Sequence, residues 1–237
     1  MKRIFFIHGD KGGVGKTQAA TRTAAAFLAS GVNVTLVDGD ARNPGLYTLF
    51  DERPNPVHRC NVLKTEGLED LFELIASAPG DILVDLPAGG SAATERMSSA
   101  GTSEGMIDLG LLAREVGAKI VVMFVMDQNR ESIAALRDEM GAFPPEITEW
   151  VIVRNLYEDR PFRDLETSKT YQDFLARGGK EMEMVRLDPS VISDMARNRI
   201  NLLQAAQDDA FSMIKKIRAK SALRLWMEEL KKVGVIS

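Results

Sequence analysis

A short glycine-rich segment, Gly9 to Thr17, constrains the fold of this chain more than any other part of its sequence. It reads GDKGGVGKT, follows an apolar run and precedes an alanine-rich stretch that is predicted to be helical. A strand, a glycine-rich loop and a helix in this order form a P-loop, in which backbone N–H groups and the positive end of the helix surround phosphate oxygens. The sequence therefore predicts a phosphate-binding loop after the first strand.

Each polar residue of this loop has a predicted role. Lys16 is expected to bridge the terminal phosphates of a nucleotide, and Thr17 to ligate Mg²⁺. The predicted phosphate-contacting residues are Gly12, Gly13, Val14, Gly15, Lys16, Thr17 and Gln18.

Apolar runs alternate with amphipathic stretches along the rest of the chain. The predicted strands are 3–8, 33–37, 81–86, 119–126, 150–154 and 183–187, and the predicted helices are 16–30, 68–77, 130–141, 190–197 and a long one over about 202–233. This alternation predicts a doubly wound, mostly parallel α/β sheet with helices on both faces. With 237 residues, 45% of them hydrophobic, one domain spanning 1–237 is the best fit. The small, polar stretch 89–105 is predicted to be a mobile loop.

Composition excludes several classes of protein. A single cysteine, Cys60, cannot form a disulfide framework or a cysteine metal site within one chain, and it suits a reducing cytoplasm. The apolar runs are too short to span a bilayer and the start of the chain lacks a signal-peptide pattern, so a cytoplasmic protein is expected. Because the net charge is −4, any contact with nucleic acid must be local.

The loop departs from the ordinary Walker A pattern, which requires glycine where Asp10 stands. It matches instead the form KGGxGKT, which opens with an additional lysine, Lys11. In this respect the chain resembles the ParA/MinD family of deviant Walker A ATPases, and among them the ParA-like members linked to plasmid partition or conjugation. The resemblance implies a Mg²⁺-dependent ATPase in which Lys11 reaches across a dimer interface to the partner's nucleotide. Such a cation can stabilise the transition state, as arginine fingers do.

Two further apolar runs end in carboxylates that a parallel sheet would bring to one edge, where ligands bind in such folds. By resemblance, Asp40 positions or polarises the attacking water, Asp38 supports the Mg²⁺ shell, and Asp85 is the Walker B aspartate. The segment 87–89 matches the switch II segment of that family. An alternative for Asp38 and Asp40 is that they only cap the following turn.

The expected base pocket is less specific. Asn155 follows one strand, and Asp188 and Pro189 follow the next, at positions that resemble adenine-binding positions of the family. A purely turn-forming role for each is the alternative.

The tail segment 215–232 is basic, with seven Lys and Arg side chains against Glu228 and Glu229. Such asymmetry predicts an anionic partner. Helical periodicity places Phe211, Ile214 and Ile217 on one face, which we expect to pack on the sheet domain. Leu223, Trp226 and Leu230 lie about half a turn away, and are expected to meet another helix, a second subunit or a membrane.

Three functions are consistent with the sequence. The first is an ATP-dependent homodimer that positions or segregates DNA, binds DNA non-specifically through the C-terminal basic residues, and is stimulated by an adaptor protein. That protein would be cytoplasmic and associated with the nucleoid. The second is a MinD-like ATPase that binds membrane through a C-terminal helix, and the third is a small-molecule kinase or synthetase of the same fold.

Overall fold

A computed structural model describes residues 1–9, 11–50, 56–98 and 108–237. Its strands are β1 Lys2–His8, β2 Val34–Asp38, β3 His58–Arg59, β4 Asp81–Asp85, β5 Ala118–Met126, β6 Thr148–Asn155 and β7 Lys180–Met184. Its helices are α1 Lys16–Ala29, α2 Gly45–Phe50, α3 Thr65–Ser77, α4 Gly90–Ser98, α5 Leu109–Glu115, α6 Arg130–Ala142, α7 Arg163–Glu166, α8 Lys169–Ala176, α9 Pro189–Asn198, α10 Leu202–Ala205 and α11 Met213–Lys232. Asp10, where the ordinary Walker A glycine is missing, lies outside the described residues.

These strands form a single parallel sheet in the order β3-β2-β4-β1-β5-β6-β7. The first strand is central, and later strands are added on either side of it, so the predicted doubly wound fold is confirmed. Two hydrophobic layers cover the sheet, because alternate residues of β1 face opposite sides. Phe5 and Ile7 pack in the layer that contains α1 and α11, whereas Ile4 and Phe6 pack in the layer with α3 and α6. Burial on both faces explains why the inner strands appear in the sequence as continuous apolar runs.

Two predicted boundaries are wrong. The last strand covers 180–184 rather than 183–187, because it is an edge strand in which buried Met182 and Met184 alternate with Glu181 and Glu183. Its apolar residues therefore recur at every second position instead of forming a continuous run. The predicted loop 89–105 begins with helix α4, where Ala93, Thr94 and Met97 form a buried face at helical spacing. The remainder of that prediction, 99–105, lies outside the described residues.

The predicted long helix over 202–233 is also wrong, since it is divided into α10 and α11. Both helices are capped by polar side chains. The Asn201 side chain accepts from Gln204 N in a capping box, and the Ser212 side chain accepts from Lys215 N at the start of α11. Such caps satisfy free N–H groups only where a helix begins. They therefore stabilise two separate helices, α10 and α11, relative to one continuous helix.

The prediction for the faces of the C-terminal helix is wrong in part: Ile214 and Ile217 do not pack on the domain, whereas Leu223, Trp226 and Leu230 meet another helix, one of the three environments predicted for them. Leu223, Trp226 and Leu230 are buried in the domain, and Trp226 Nε1 donates to Thr23 Oγ1 of α1 over 3.2 Å. In contrast, Ile214 and Ile217 are 64% and 55% exposed. Phe211 is buried, but it precedes the helix and so does not share its phase. None of the helices in the described ranges combines the length and apolar character needed to cross a membrane.

Candidate functional site

The glycine-rich loop joins the end of β1 to the start of α1, as predicted. Gly15 is the N-cap of α1, with φ of 104°. A Cβ at this position would lie 2.8 Å from Met184 Cε and 2.9 Å from Asn155 Nδ2. Only glycine tolerates both this backbone conformation and this crowding. The helix N-terminus is therefore held close to β6 and β7, with its N–H groups directed into the loop.

Lys16 is buried, with only 6% of its surface exposed. Its Nζ donates to the carbonyl oxygen of Lys11 over 2.8 Å, which folds the side chain back along the loop. A buried ammonium that spans a phosphate loop is suited to hold the terminal phosphates of a nucleotide, because charge-assisted hydrogen bonds are strong in a site shielded from water.

Asp38 and Asp85 lie side by side on neighbouring strands, where the pairing of β2 with β4 places them in register. Asp38 accepts from Asp40 N over 3.1 Å and from Tyr47 N over 2.9 Å. Both carboxylate oxygens of Asp85 are buried without a well-oriented hydrogen-bond donor in the described part of the chain. Burial and the adjacent Asp38 carboxylate raise the pKa of Asp85 to about 8, although Thr17 and Lys16 act in the opposite direction.

This arrangement fits a divalent cation. A buried carboxylate without hydrogen bonds, next to a second carboxylate, is stabilised when a positive ion comes near. Thr17, Asp38 and Asp85 are the residues that could hold it, directly or through water. The described residues contain no group of three or more His, Cys, Asp or Glu side chains arranged for a metal ion. Mg²⁺ takes few protein carboxylates and keeps several waters, so two carboxylates and a hydroxyl are a sufficient set of ligands for it.

Asp40 lies at the same edge but forms a turn. Its Oδ1 accepts from Arg42 N over 2.9 Å and from Asn43 N over 3.0 Å. This is the turn-capping geometry that the sequence left open as an alternative. The carboxylate is half-buried beside the loop, so its role in orienting water stays a prediction.

Lys11 forms an ion pair within its own chain. Its Nζ lies 3.1 Å from Glu131 Oε2, at the start of α6. The lysine side chain is 35% exposed and the glutamate side chain 71% exposed, so the pair is weakly held. Lys11 can therefore exchange this partner for another anion at little cost.

An open cavity of about 540 Å³ extends from the loop towards β6 and β7. It is lined by residues 11–15, Gln18, Arg22, Asp127, Gln128, Asn155, Tyr157, Glu158, residues 184–187, Pro189, Ile192 and Ser193. Two of the three predicted base-pocket residues, Asn155 and Pro189, are in this wall. Asn155 Nδ2 donates to Val14 O over 2.8 Å, which ties the wall to the phosphate loop. Asp188 instead caps α9 and accepts from Arg218 Nη1 over 2.6 Å.

Several residues that line the cavity were not predicted from the sequence. Asp127 and Gln128 follow β5, so the rule that used the carboxyl ends of parallel strands could have found them. Arg22 lies one helical turn beyond Gln18 on α1, and the spacing of four residues is a usable signal. The cation–π contact between Arg186 and Tyr157, at 4.8 Å, had no signal in the sequence.

The family model described as "CbiA: CobQ/CobB/MinD/ParA nucleotide binding domain" matches residues 5–236. The chain belongs to this family. It is 26% identical over 239 residues to Protein MobD of Acidithiobacillus ferrooxidans, covering 99% of this chain and 98% of that protein. Over 248 residues it is 23% identical to Protein TraL of Escherichia coli, with both chains covered completely. Both relatives therefore have the same extent as this chain.

Among solved structures, the fold is similar to that of the septum site-determining protein MinD complexed with Mg-ADP from Pyrococcus horikoshii OT3. The TM-score is 0.53 at 19% identity, and the match covers 99% of this chain and 98% of that chain. This likeness confirms the fold. The family to which the chain belongs is described as a nucleotide binding domain.

Most of the basic C-terminal residues are paired with acidic side chains. Lys215 pairs with Asp194, Lys216 with Asp209, Arg218 with Asp188, Arg224 with Glu228 and Lys232 with Glu229. Three of these acids lie outside the tail segment, so the sequence count overstated the free positive charge. Within the described ranges, Lys220 and Lys231 have no ion-pair partner.

Proposed function

We propose that this protein is a Mg²⁺-dependent ATPase that alternates between a monomer and an ATP-bound dimer. The observation that carries this proposal is the buried Asp85 carboxylate, which lies beside Asp38 and interacts with Thr17 at the end of the phosphate loop. A nucleotide accompanied by a cation would satisfy both the carboxylates and the loop. The MinD protein of Pyrococcus horikoshii, which shares the fold, binds Mg-ADP.

In this proposal, the N–H groups of residues 12–17 and the Lys16 ammonium bind the phosphates of ATP. Thr17 and Asp85 hold the cation, and Asp38 fixes the turn that carries Asp40 through its bond to Asp40 N. When bound, Mg²⁺ supplies positive charge that offsets the charge developing on the transferred phosphoryl group. Asp40 orients the attacking water, and its bonds to Arg42 N and Asn43 N keep the carboxylate at the edge of the sheet.

The base pocket supports adenine as the nucleobase. Its wall combines the Asn155 amide with the apolar side chains of Met184, Leu187 and Pro189. Apolar walls with a few polar groups are typical of a site that holds a flat ring. Arg186, stacked on Tyr157, also lines the pocket.

Dimerisation is assigned to Lys11. In the described chain it pairs with Glu131 at an exposed position. An incoming nucleotide phosphate carries more charge than a single carboxylate, so the lysine gains by leaving Glu131 for the phosphates bound by a second subunit. This exchange would make dimer formation dependent on ATP.

The first candidate for the surface that the dimer binds is DNA, which would place the protein in the cytoplasm at the nucleoid, with an adaptor stimulating release. Lys220 and Lys231 on α11 are its most available cations. The second candidate is a membrane, and one observation favours it. Met213, Ile214 and Ile217 form an exposed apolar patch at the start of α11, with exposures of 77%, 64% and 55%. Apolar side chains beside cations suit an anionic lipid surface.

One experiment tests both parts of the proposal. Purified protein with Mg-ATP should hydrolyse ATP and form dimers in light scattering. The same samples are then sedimented with non-specific duplex DNA and with anionic vesicles. Binding to DNA that declines steeply with salt supports the first candidate, and binding to vesicles without DNA affinity supports the second. Absence of both nucleotide binding and hydrolysis contradicts the ATPase assignment.

A further inference from the structure

A buried polar cluster, formed by His8, Thr94 and Glu139, lies behind the phosphate loop and takes no part in the site described above. Their exposures are 0%, 1% and 3%. The three residues come from β1, α4 and α6, so one cluster joins three elements. Burying charged and polar side chains costs free energy unless they bind one another, which makes such a cluster specific in its geometry.

The hydrogen bonds fix the state of the histidine. Gly9 N, the first amide of the loop, donates to His8 Nδ1 over 2.7 Å. The proton of a neutral ring is therefore on Nε2, which lies 2.9 Å from Thr94 Oγ1 and 3.1 Å from Glu139 Oε2. Thr94 Oγ1 donates in turn to Gly90 O, so it can accept from the histidine.

The carboxylate of Glu139 is the charged member of the cluster. Burial acts to raise its pKa, but the neighbouring His8 acts against burial, and the pKa of Glu139 lies below its usual value. Glu139 Oε2 has no well-oriented hydrogen-bond donor in the described part of the chain, so its negative charge acts on the His8 ring across the 3.1 Å that separates them.

The cluster contacts the start of α4 closely. A Cβ at Gly90 would lie 3.4 Å from both Cε1 and Nε2 of His8. The segment between Asp85 and Gly90 also lies against the phosphate loop, since a Cβ at Gly12 would lie 3.9 Å from Ala88 Cβ. A displacement of this segment by the terminal phosphate would therefore be transmitted to α4 and to the histidine.

Helix α6 contacts the loop at a second point. Glu131 pairs with Lys11, and Glu139 follows it by eight residues, about 12 Å along the same helix. The loop is thus connected to α6 at two points. His8, directly before the loop, contacts Glu139, and Lys11 within the loop pairs with Glu131.

We infer that His8, Thr94 and Glu139 are positioning residues that hold the start of α4 against the phosphate loop, so that the segment 86–89 is set for hydrolysis. The inference rests on the proposed ATPase activity, because the function of this alignment is to support turnover. None of the three touches the nucleotide cavity, so their effect is exerted through α4 and the loop.

The first test uses Thr94→Val, which removes the hydroxyl at nearly constant volume, with Thr94→Ser as the conservative rescue. For Thr94→Val we expect kcat for ATP hydrolysis to fall about tenfold while KM changes less than about twofold, since the aligned state matters most in the transition state. Thr94→Ser should retain kcat within about twofold of wild type. Unchanged kcat in Thr94→Val, or equal loss in both variants, overturns the inference because a hydroxyl-dependent alignment is then absent.

The second test does not depend on turnover. Glu139→Gln keeps the side-chain shape, and Asp138→Asn makes the same chemical change at a 67% exposed neighbour on α6. Hydrogen exchange of residues 90–98 in nucleotide-free protein should be about tenfold faster in Glu139→Gln and unchanged in Asp138→Asn. If Glu139→Gln does not fold, as judged by circular dichroism, Thr94→Val is measured in its place. Unchanged exchange in α4, or faster exchange confined to α6, contradicts the inference.

The two proposals can fail separately. A wild-type protein that does not hydrolyse ATP contradicts the proposed function, and the exchange measurement still tests whether the cluster holds α4. An active wild type with α4 exchange unaffected by these variants contradicts only the positioning role.

Discussion

The two ends of this chain differ in how directly their sequence shows their structure. At the phosphate loop, the strand, loop and helix follow one another directly along the chain, and they lie as predicted. At the C-terminal helix, the same reasoning expected Ile214 and Ile217 to be buried, although both are exposed, and it counted too many free charges. Local motifs are read reliably because chain geometry fixes them. The environment of a long amphipathic helix depends on which elements, distant in sequence, pack against each of its faces.

The largest expected effect tests the loop. Lys16→Ala should weaken ATP binding by about a thousandfold or more, because the phosphates lose a charge-assisted partner in a buried site. Isothermal titration measures the change. Lys231→Ala is the matched control, since it removes an exposed ammonium that does not line the cavity and should leave the Kd unaltered. Near-normal affinity in Lys16→Ala would contradict the phosphate assignment.

The corrected faces of α11 give the next largest effect. Trp226→Ala should lower the free energy of unfolding by about 3–5 kcal/mol, because it leaves a cavity against α1 and removes the bond to Thr23. Ile217→Ala, on the exposed face of the same helix, should change it by less than about 0.5 kcal/mol. Urea denaturation of both variants provides the measurement. Equal losses of unfolding free energy in the two variants would show that the faces carrying Trp226 and Ile217 do not differ in burial in solution.

Asp40→Ala should reduce kcat about a hundredfold with little change in ATP affinity, since loss of a water-orienting group affects the transition state most. The variant should accumulate as an ATP-bound dimer in light scattering. Asp40→Asn is a useful companion, because an amide oxygen can still accept from Arg42 N and Asn43 N. If Asp40→Asn and wild type turn over equally, Asp40 is only a turn residue.

The pKa of Asp85 predicts a pH dependence of stability. It is raised from 3.8 to about 8 in the folded protein, so between these values the folded state binds more protons than the unfolded state. The stability that protonated Asp85 contributes is therefore lost as pH rises, by at most about 1.4 kcal/mol per pH unit. Between pH 5 and 8, the free energy of unfolding of Asp85→Asn should therefore depend less on pH than that of wild type. The measurement is the difference in free energy of unfolding between the two proteins at each pH. Identical slopes would contradict the raised pKa.

The smallest effect concerns the tail. If α11 contacts DNA phosphates, Lys220→Ala with Lys231→Ala should weaken binding only a few-fold and reduce the salt slope by about 2. Lys215→Ala with Lys216→Ala removes ammonium groups that are already paired with Asp194 and Asp209, and should change the slope less. Fluorescence anisotropy with labelled duplex DNA at several salt concentrations separates the two pairs. A larger effect from the paired lysines would show that DNA displaces their acidic partners.

The sequence by itself determined the fold class, the phosphate loop and the meeting of Asp38 with Asp85. Buried parallel strands give continuous apolar runs, and their carboxyl ends meet at one edge whatever the loops between them do. Glycine spacing around Lys16 has a single good structural solution. Each of these features depends on residues adjacent in the chain or on a rule that holds for every parallel sheet.

Only the tertiary structure decided the rest. It divided the long helix at Ser212, buried Trp226 rather than Ile217, paired Lys11 with Glu131 and brought His8 to Thr94 and Glu139. Each of these contacts joins residues that are remote in sequence or depends on which face of a helix meets a distant element. A side chain pairs with the nearest suitable partner in space. A charge count or a helical face that is read along the chain gives no information about the distance between residues remote in sequence.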